Sequence, residues 1–131
     1  MRIYLIDDDS EEAELFREAV NKIDNTIDLV WCDVVSVAFE QLLNDEKLPA
    51  AIFIDLNIPQ VSGKTLLKML RENSTTENIP VVIYSTSISK KDRSDTSPFN
   101  VSFYLEKPEN FSALCQKLGD VLNSVRGREQ E

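Results

Sequence analysis

The sequence predicts a single α/β domain, in which a doubly wound, five-stranded parallel sheet, (βα)5, is covered by helices on both faces in three layers. Three observations predict it. Strand-like and helix-like segments alternate along the 131 residues with short connections, the pattern of a parallel sheet with crossover helices. The run Ala50-Ala51-Ile52-Phe53-Ile54 shows no polar alternation, so that strand is buried on both faces. The strands also end in polar groups, namely Asp7 and Asp8, Asp55, Ser85 and Lys107. In a doubly wound sheet those ends share one edge, where ligand groups collect.

Each element has its own signal. Arg2 to Ile6 is the first strand and runs into Asp7-Asp8-Asp9. From Ser10 to Ile23, the apolar residues Ala13, Phe16, Val20 and Ile23 share one helical face. Asp9 or Ser10 caps that helix, and Glu11, Glu12 and Glu14 suit its positive dipole end. Ile27 to Cys32 is the second strand. A helix carrying Ala38, Phe39, Leu42 and Leu43 follows and ends before Pro49. The third strand, Ala50 to Ile54, delivers Asp55 and is stopped at Pro59, which has no N–H to give to a ladder. Ser62 to Asn73 is a helix on Leu66, Leu67 and Leu70. Pro80 to Tyr84 is the fourth strand, with Ser85-Thr86-Ser87 leaving its end. Val101 to Leu105 is the fifth, leading to Glu106-Lys107-Pro108. The last helix bears Phe111, Leu114, Leu118, Leu122 and Val125 in one stripe, with Asn110 as cap, and a polar tail from Gly127 to Glu131 is expected to fray.

One segment between the fourth and fifth strands is a poor helix former. Ser89 can cap a short helix, but Ser94, Asp95, Thr96 and Ser97 each cost roughly 0.5 kcal/mol relative to Ala. Pro98 turns Ser97 away from helical backbone, and no apolar residue between Ile88 and Phe99 offers a face to bury. The expectation is a helix of at most two turns, ending by about Thr96 and irregular up to Phe99.

Composition excludes several classes. A net charge of −9 and no basic stripe argue against a nucleic-acid surface. No apolar run approaches the roughly 20 residues of a membrane helix, and the N-terminus does not resemble a secretory signal. A cytoplasmic protein with no membrane insertion is expected. The absence of histidine removes His-based triads and His-ligated zinc. Cys32 and Cys115 are expected to be buried, reduced thiols.

The acids then pose an electrostatic problem. Two carboxylates ~4 Å apart at an effective dielectric of ~20 repel by about 4 kcal/mol. Either some of the acids protonate or a divalent cation neutralises them; hard oxygen ligands on an open loop suit Mg²⁺, with a backbone carbonyl near Asn57 to complete the set. With Lys107 and Ser85 added, the pocket fits a phosphoryl group. Lys107 neutralises its oxygens, the Ser85 hydroxyl donates to one, and the Asp55 carboxylate can attack phosphorus in line.

The residues Asp7-Asp8, Asp55-Leu56-Asn57-Ile58-Pro59, Gly63, Ser85-Thr86, Tyr104 and Lys107-Pro108, in this order, resemble the response-regulator receiver domains of two-component signalling, above all the stand-alone, single-domain kind. The resemblance covers nearly the whole chain and implies the flavodoxin-like strand order 2-1-3-4-5. It makes Asp55 the phosphoacceptor, with Ser85 and Lys107 binding the phosphoryl group. Asp7, Asp8, Asp55 and the Asn57 carbonyl become the Mg²⁺ ligands, Asp8 most directly and Asp7 through water. Ser85 and Tyr104 become the switch. Residues 1–126 are then the receiver and 127–131 a tail, with no output domain. The implied partners are a sensor histidine kinase or phosphotransfer protein and an unidentified downstream protein. The chain is expected to act by phosphorylation-dependent docking and not as an enzyme.

Departures from the family pattern are Ser62 where an acid often precedes the loop glycine, Thr86 in place of a smaller residue, and Asn100 in place of glycine before the fifth strand. Asn tolerates left-handed backbone better than most residues, so a tight turn survives there. A pseudo-receiver that binds without taking phosphate is the alternative reading, and the complete acid, hydroxyl and lysine set speaks against it. A haloacid-dehalogenase-like phosphatase needs a second Asp where Asn57 stands. A flavodoxin-like carrier needs a phosphate loop where the first acids stand.

Overall fold

The computed structural model describes residues 1–58 and 61–129. In chain order these form β1 (Arg2–Ile6), α1 (Ser10–Ile23), β2 (Asp28–Cys32), α2 (Val35–Asn44), β3 (Ala51–Ile54), α3 (Gly63–Glu72), β4 (Val81–Ser85), α4 (Lys90–Thr96), a 3₁₀ turn (Ser97–Phe99), β5 (Phe103–Glu106) and α5 (Phe111–Glu129). The strands pair in parallel in the order β2-β1-β3-β4-β5. Every expected strand and helix is present, with ends shifted by one or two residues. Pro59, expected to stop the third strand, lies outside the described residues.

The sheet separates two apolar layers. On one face, Ile3, Leu5 and Phe53 pack with Phe16 and Val20 of α1 and Leu118 and Leu122 of α5. On the other, Tyr4, Ile6, Ile52 and Ile54 pack with Leu42 of α2 and Leu66, Leu67 and Leu70 of α3. Alternate residues of β1 and β3 thus enter opposite layers, as strand geometry requires. Both strands are buried throughout their apolar length. Each fully buried side chain of this size contributes about 1.5–3 kcal/mol. On α2 the buried residues are Val35, Ala38 and Leu42, whereas Leu43 is exposed and Phe39 only half-buried. The helix is rotated so that Val35 and Leu42, seven residues apart, define its inner stripe.

Capping follows the sequence closely. The Asp9 side chain accepts from the amides of Glu11 and Glu12, Ser62 from Thr65, and Asn110 from Ala113. Ser89 and Asp92 form a reciprocal capping box on α4, which satisfies two amides that the short helix would otherwise leave unpaired. That helix stops at Thr96, after two turns, and Ser97–Phe99 continue as a single 3₁₀ turn with Pro98 inside it. Asn100 then adopts left-handed backbone (φ 57°), the conformation expected where glycine is absent. Arg71 of α3 secures this stretch by donating to the main-chain oxygens of Phe99 (2.8 Å), Asn100 (3.2 Å), Glu77 (2.9 Å) and Ile79 (2.8 Å).

At the C-terminus α5 continues through Glu129, so Gly127 is helical where fraying is expected. A helical Gly costs only about 1 kcal/mol relative to Ala. No proline follows, and buried Val121, Leu122 and Val125 anchor the preceding turns. Gln130 and Glu131 lie outside the described residues. Cys32 is buried and Cys115 half-buried, and both are free thiols. No helix among the described residues is long and apolar enough to cross a membrane.

The candidate phosphoryl and metal site

The last rungs of the sheet pin the site's backbone. The Asp7 amide donates to Cys32 O (3.1 Å), the Asp55 amide to Ile6 O (3.0 Å) and the Lys107 amide to Ser85 O (2.9 Å). The helices of β1 and β3 depart to opposite faces, so Asp7 and Asp55 flank the crevice where strand order reverses, the usual ligand position in such sheets.

Gly63 shapes the floor. A Cβ built there would stand 2.4 Å from Asp55 O, 2.8 Å from Ile54 Cγ2 and 2.9 Å from Leu56 Cα. Only glycine lets the start of α3 press this closely against the backbone that carries Asp55.

Lys107 lies at the centre. Its ammonium donates to Asp7 Oδ2 (2.9 Å), Asp55 Oδ2 (2.9 Å) and Glu12 Oε2, which uses all three of its protons. The other Asp55 oxygen accepts from the Ser85 hydroxyl (3.2 Å) and the Asn57 amide (2.9 Å), and the Asn57 side chain donates to Ser85 Oγ (3.2 Å). Asp7 is fully buried (0% exposed), and its second oxygen accepts from the Asp9 amide at 3.0 Å. The exposed Asp8 carboxylate has no hydrogen-bond or ion-pair partner among the described residues. One carboxylate oxygen from each of Asp7, Asp8 and Asp55 lies within 4.8 Å of the others.

Burial pushes the Asp7 carboxyl above the ordinary range, outweighing the opposing pull of Lys107 and the Asp9 amide. For Lys107, burial acts to lower the ammonium, but bonds from Glu12, Asp7 and Asp55 together raise it above the usual lysine value. The lysine therefore stays charged while its buried partner is strained. Three carboxylates (Asp7, Glu12 and Asp55) share this one ammonium, and the Asp8 carboxylate adds a further negative charge beside Asp7 and Asp55. An all-oxygen donor set with uncompensated negative charge fits a hard divalent cation such as Mg²⁺.

Tyr104 lies off the pocket, against α4. Its hydroxyl is 2.8 Å from Thr96 Oγ1, which in turn donates to Asp92 O at 2.7 Å. Thr96 has a single proton to give, so the tyrosine is the donor to it. The Arg93 guanidinium covers the ring at 4.6 Å, and Ile83 is the register partner of Tyr104 on β4.

Asp7, Asp8, Asp55, Asn57, Ser85 and Lys107 are thus brought together, while Tyr104 is joined to α4. Two neighbours were not foreseen. Glu12 has the same signal as Glu11, an acid in the first turn of a helix, and only the structure turns it onto Lys107. Trp31 donates its indole N–H to Asp7 O at 2.7 Å, which puts a fluorophore beside the acids.

A family model for the response regulator receiver domain matches residues 3–119, and the chain belongs to that family. A relative, the probable methanogenesis regulatory protein FilR2 of Methanothrix harundinacea (strain 6Ac), is 28% identical over 123 residues, covering 91% of this chain and 79% of its own length. The phosphorylated cyanobacterial phytochrome response regulator RcpA superposes with a TM-score of 0.83 at 27% identity, over 92% of this chain and 89% of that one. The Mn²⁺-bound form of response regulator Rcp1 superposes with a TM-score of 0.78 at 25% identity, over 92% and 90%.

Proposed function

We propose that this chain is a cytoplasmic response-regulator receiver that takes a phosphoryl group on Asp55 from the histidine of a sensor kinase or phosphotransfer protein. The observation that carries the reading is the pair of environments on the Asp55 carboxylate, with Lys107 on one oxygen and Ser85 on the other. An Asp55 oxygen supplies the electron pair of the new P–O bond. The donor's P–N bond breaks, and its electrons return to the imidazole. Lys107 and Ser85, already at hydrogen-bond distance from Asp55, donate to phosphoryl oxygens as negative charge collects there. Asp7, Asp8, Asp55 and the Asn57 carbonyl would hold Mg²⁺, which when bound neutralises phosphoryl charge. The Mn²⁺-bound relative supports such a cation.

Residues 1–126 are taken as the working receiver unit, signalling through its own surface. The product is a phosphoprotein that docks onto a downstream protein, and the chain turns over no substrate of its own. The switch is assigned to Ser85 and Tyr104. A phosphoryl group draws the Ser85 hydroxyl, and the Tyr104 ring exchanges its α4 partners for the space vacated, a shift between two packed states. Beryllofluoride-bound and free structures with the same Ser85 and Tyr104 rotamers would place the coupling elsewhere.

The reading is tested by intact mass after treatment with acetyl phosphate and Mg²⁺. Wild type gains one phosphoryl group, and Asp55→Asn gains none while keeping its fold by circular dichroism. Labelling of the Asn variant, or none of wild type, sinks the assignment; the latter result favours a pseudo-receiver.

A further inference from the structure

We infer that Glu12 is the exchangeable partner of Lys107, a positioning residue that holds the ammonium in the resting state and yields its place to the incoming phosphoryl oxygen. The inference rests on the proposed phosphorylation of Asp55 and adds a residue to it.

All three Lys107 protons are committed, to Asp7, Asp55 and Glu12. A lysine has no fourth donor, so one of these bonds must open before Lys107 can reach a phosphoryl oxygen. The three partners are unequal. The Asp7 side chain is 0% exposed and that of Asp55 8%, whereas that of Glu12 is 37% exposed. A buried carboxylate that loses its cation loses solvation it cannot recover, while a half-exposed one regains water. Asp7 and Asp55 are also fixed by the last rungs of the sheet, and Glu12 rides on the first turn of α1. Space for withdrawal exists as well. Glu12 and Lys107 both line a cavity of about 200 Å³ between α1 and α5, with Leu15, Tyr84, Phe111 and Leu114. The cheapest bond to break, and the one with room to break, is that to Glu12.

In the resting protein Glu12 therefore competes with the phosphoryl group for the third proton of Lys107. Removing the competitor eases entry and retention of phosphate. A partly exposed ion pair shifts such an equilibrium by roughly two- to fivefold.

The experiment compares wild type, Glu12→Gln and Glu12→Asp. Beryllofluoride affinity in Mg²⁺ is read from Trp31 fluorescence, and acetyl phosphate labelling rates from intact mass. Glu12→Gln is expected to bind beryllofluoride about two- to fivefold more tightly and to label faster by a similar factor. Glu12→Asp keeps the charge but is one methylene short of Lys107, and it should behave like Glu12→Gln. A wild-type beryllofluoride complex solved by crystallography should show the Glu12 carboxylate withdrawn from Lys107.

Glu12→Asp behaving as wild type would leave only diffuse charge repulsion and overturn the exchange. Unchanged or weaker beryllofluoride binding in Glu12→Gln, or a Glu12 carboxylate still on Lys107 in the complex, would overturn it equally. Labelling of wild type on Asp55 alongside any of these results would remove the Glu12 role alone. Absence of wild-type labelling would remove the parent reading and this inference with it.

Discussion

The two ends of β1 carry clusters of the same residue types put to opposite uses. At the amino edge of the sheet, Arg2 donates to Asp28 (2.8 Å) and to Asp45, and the Tyr4 hydroxyl donates to the other Asp45 oxygen (2.7 Å). Two carboxylates there share one guanidinium and one phenol. At the carboxyl edge, three carboxylates share one ammonium, and a fourth, Asp8, clusters with two of them. The amino cluster is close to balanced, and the Tyr4 hydroxyl, helped by the Lys47 amide and Arg2, holds the Asp45 carboxyl below its usual range. The carboxyl cluster is overloaded, and burial pushes the Asp7 carboxyl up. A satisfied cluster closes a fold, whereas an overloaded one stores affinity for whatever can relieve it, first a cation and then a group that needs Lys107.

The largest test of this contrast removes the one ammonium. Lys107→Met keeps an unbranched apolar stem but leaves the buried Asp7 carboxylate with the Asp9 amide as its one partner among the described residues. Breaking a buried pair from one side costs about 3 kcal/mol, so urea unfolding at neutral pH should show a loss of that order. Added Mg²⁺ should recover part of it, because the cation takes over the neutralising role. A loss below about 1 kcal/mol with no Mg²⁺ response would mean that the carboxyl edge is not overloaded.

At the amino edge the matching change is Asp45→Asn. It keeps an acceptor for Tyr4, which is fully buried, but removes the charge that Arg2 and Tyr4 both address. Hydrogen bonds to charged groups carry more than neutral ones, and the expected loss is about 1–2 kcal/mol with no response to Mg²⁺. A Mg²⁺-dependent recovery here would erase the distinction between the two edges.

How far these clusters could be read from the sequence depends on what fixes each residue. Asp7, Asp55, Ser85 and Lys107 each end or follow a hydrophobic strand, and a parallel sheet brings such ends to one edge whatever the helices do. Glu12 sits on a helix, where an acid in the first turn already has a sufficient reason to be present, so its turn toward Lys107 left no separate trace. The brevity of α4 was legible because propensity and Pro98 agree. The burial of Thr96 was not, since it depends on two polar bonds, to Asp92 O and Tyr104, and not on an apolar face. Gly127 misleads in the other direction, because the packing of earlier turns carries α5 past it. Arg71 is the same kind of case, since its partners are main-chain oxygens that no side-chain pattern announces.

The smallest expected effect, and the sharpest sign test, is the pH dependence of stability in metal-free buffer. An unfolded Asp titrates near pH 3.9. Because the folded Asp45 carboxyl is held lower, the stability it contributes is present above that value and is lost as pH falls through the lower, folded value. Because the folded Asp7 carboxyl is held higher, its contribution runs the other way, being fully present below the unfolded value and lost as pH rises through the folded one. Urea unfolding from pH 3 to 7 should therefore separate the two edges. Wild type should lose stability relative to Asp7→Asn as pH climbs from about 4, and relative to Asp45→Asn as pH drops below about 4. Mg²⁺ should flatten the first difference and leave the second alone, since only the carboxyl edge gains a ligand that favours its ionised acids. Parallel curves for all three proteins would show that both edges are equally satisfied, and the overloaded site would lose its physical basis.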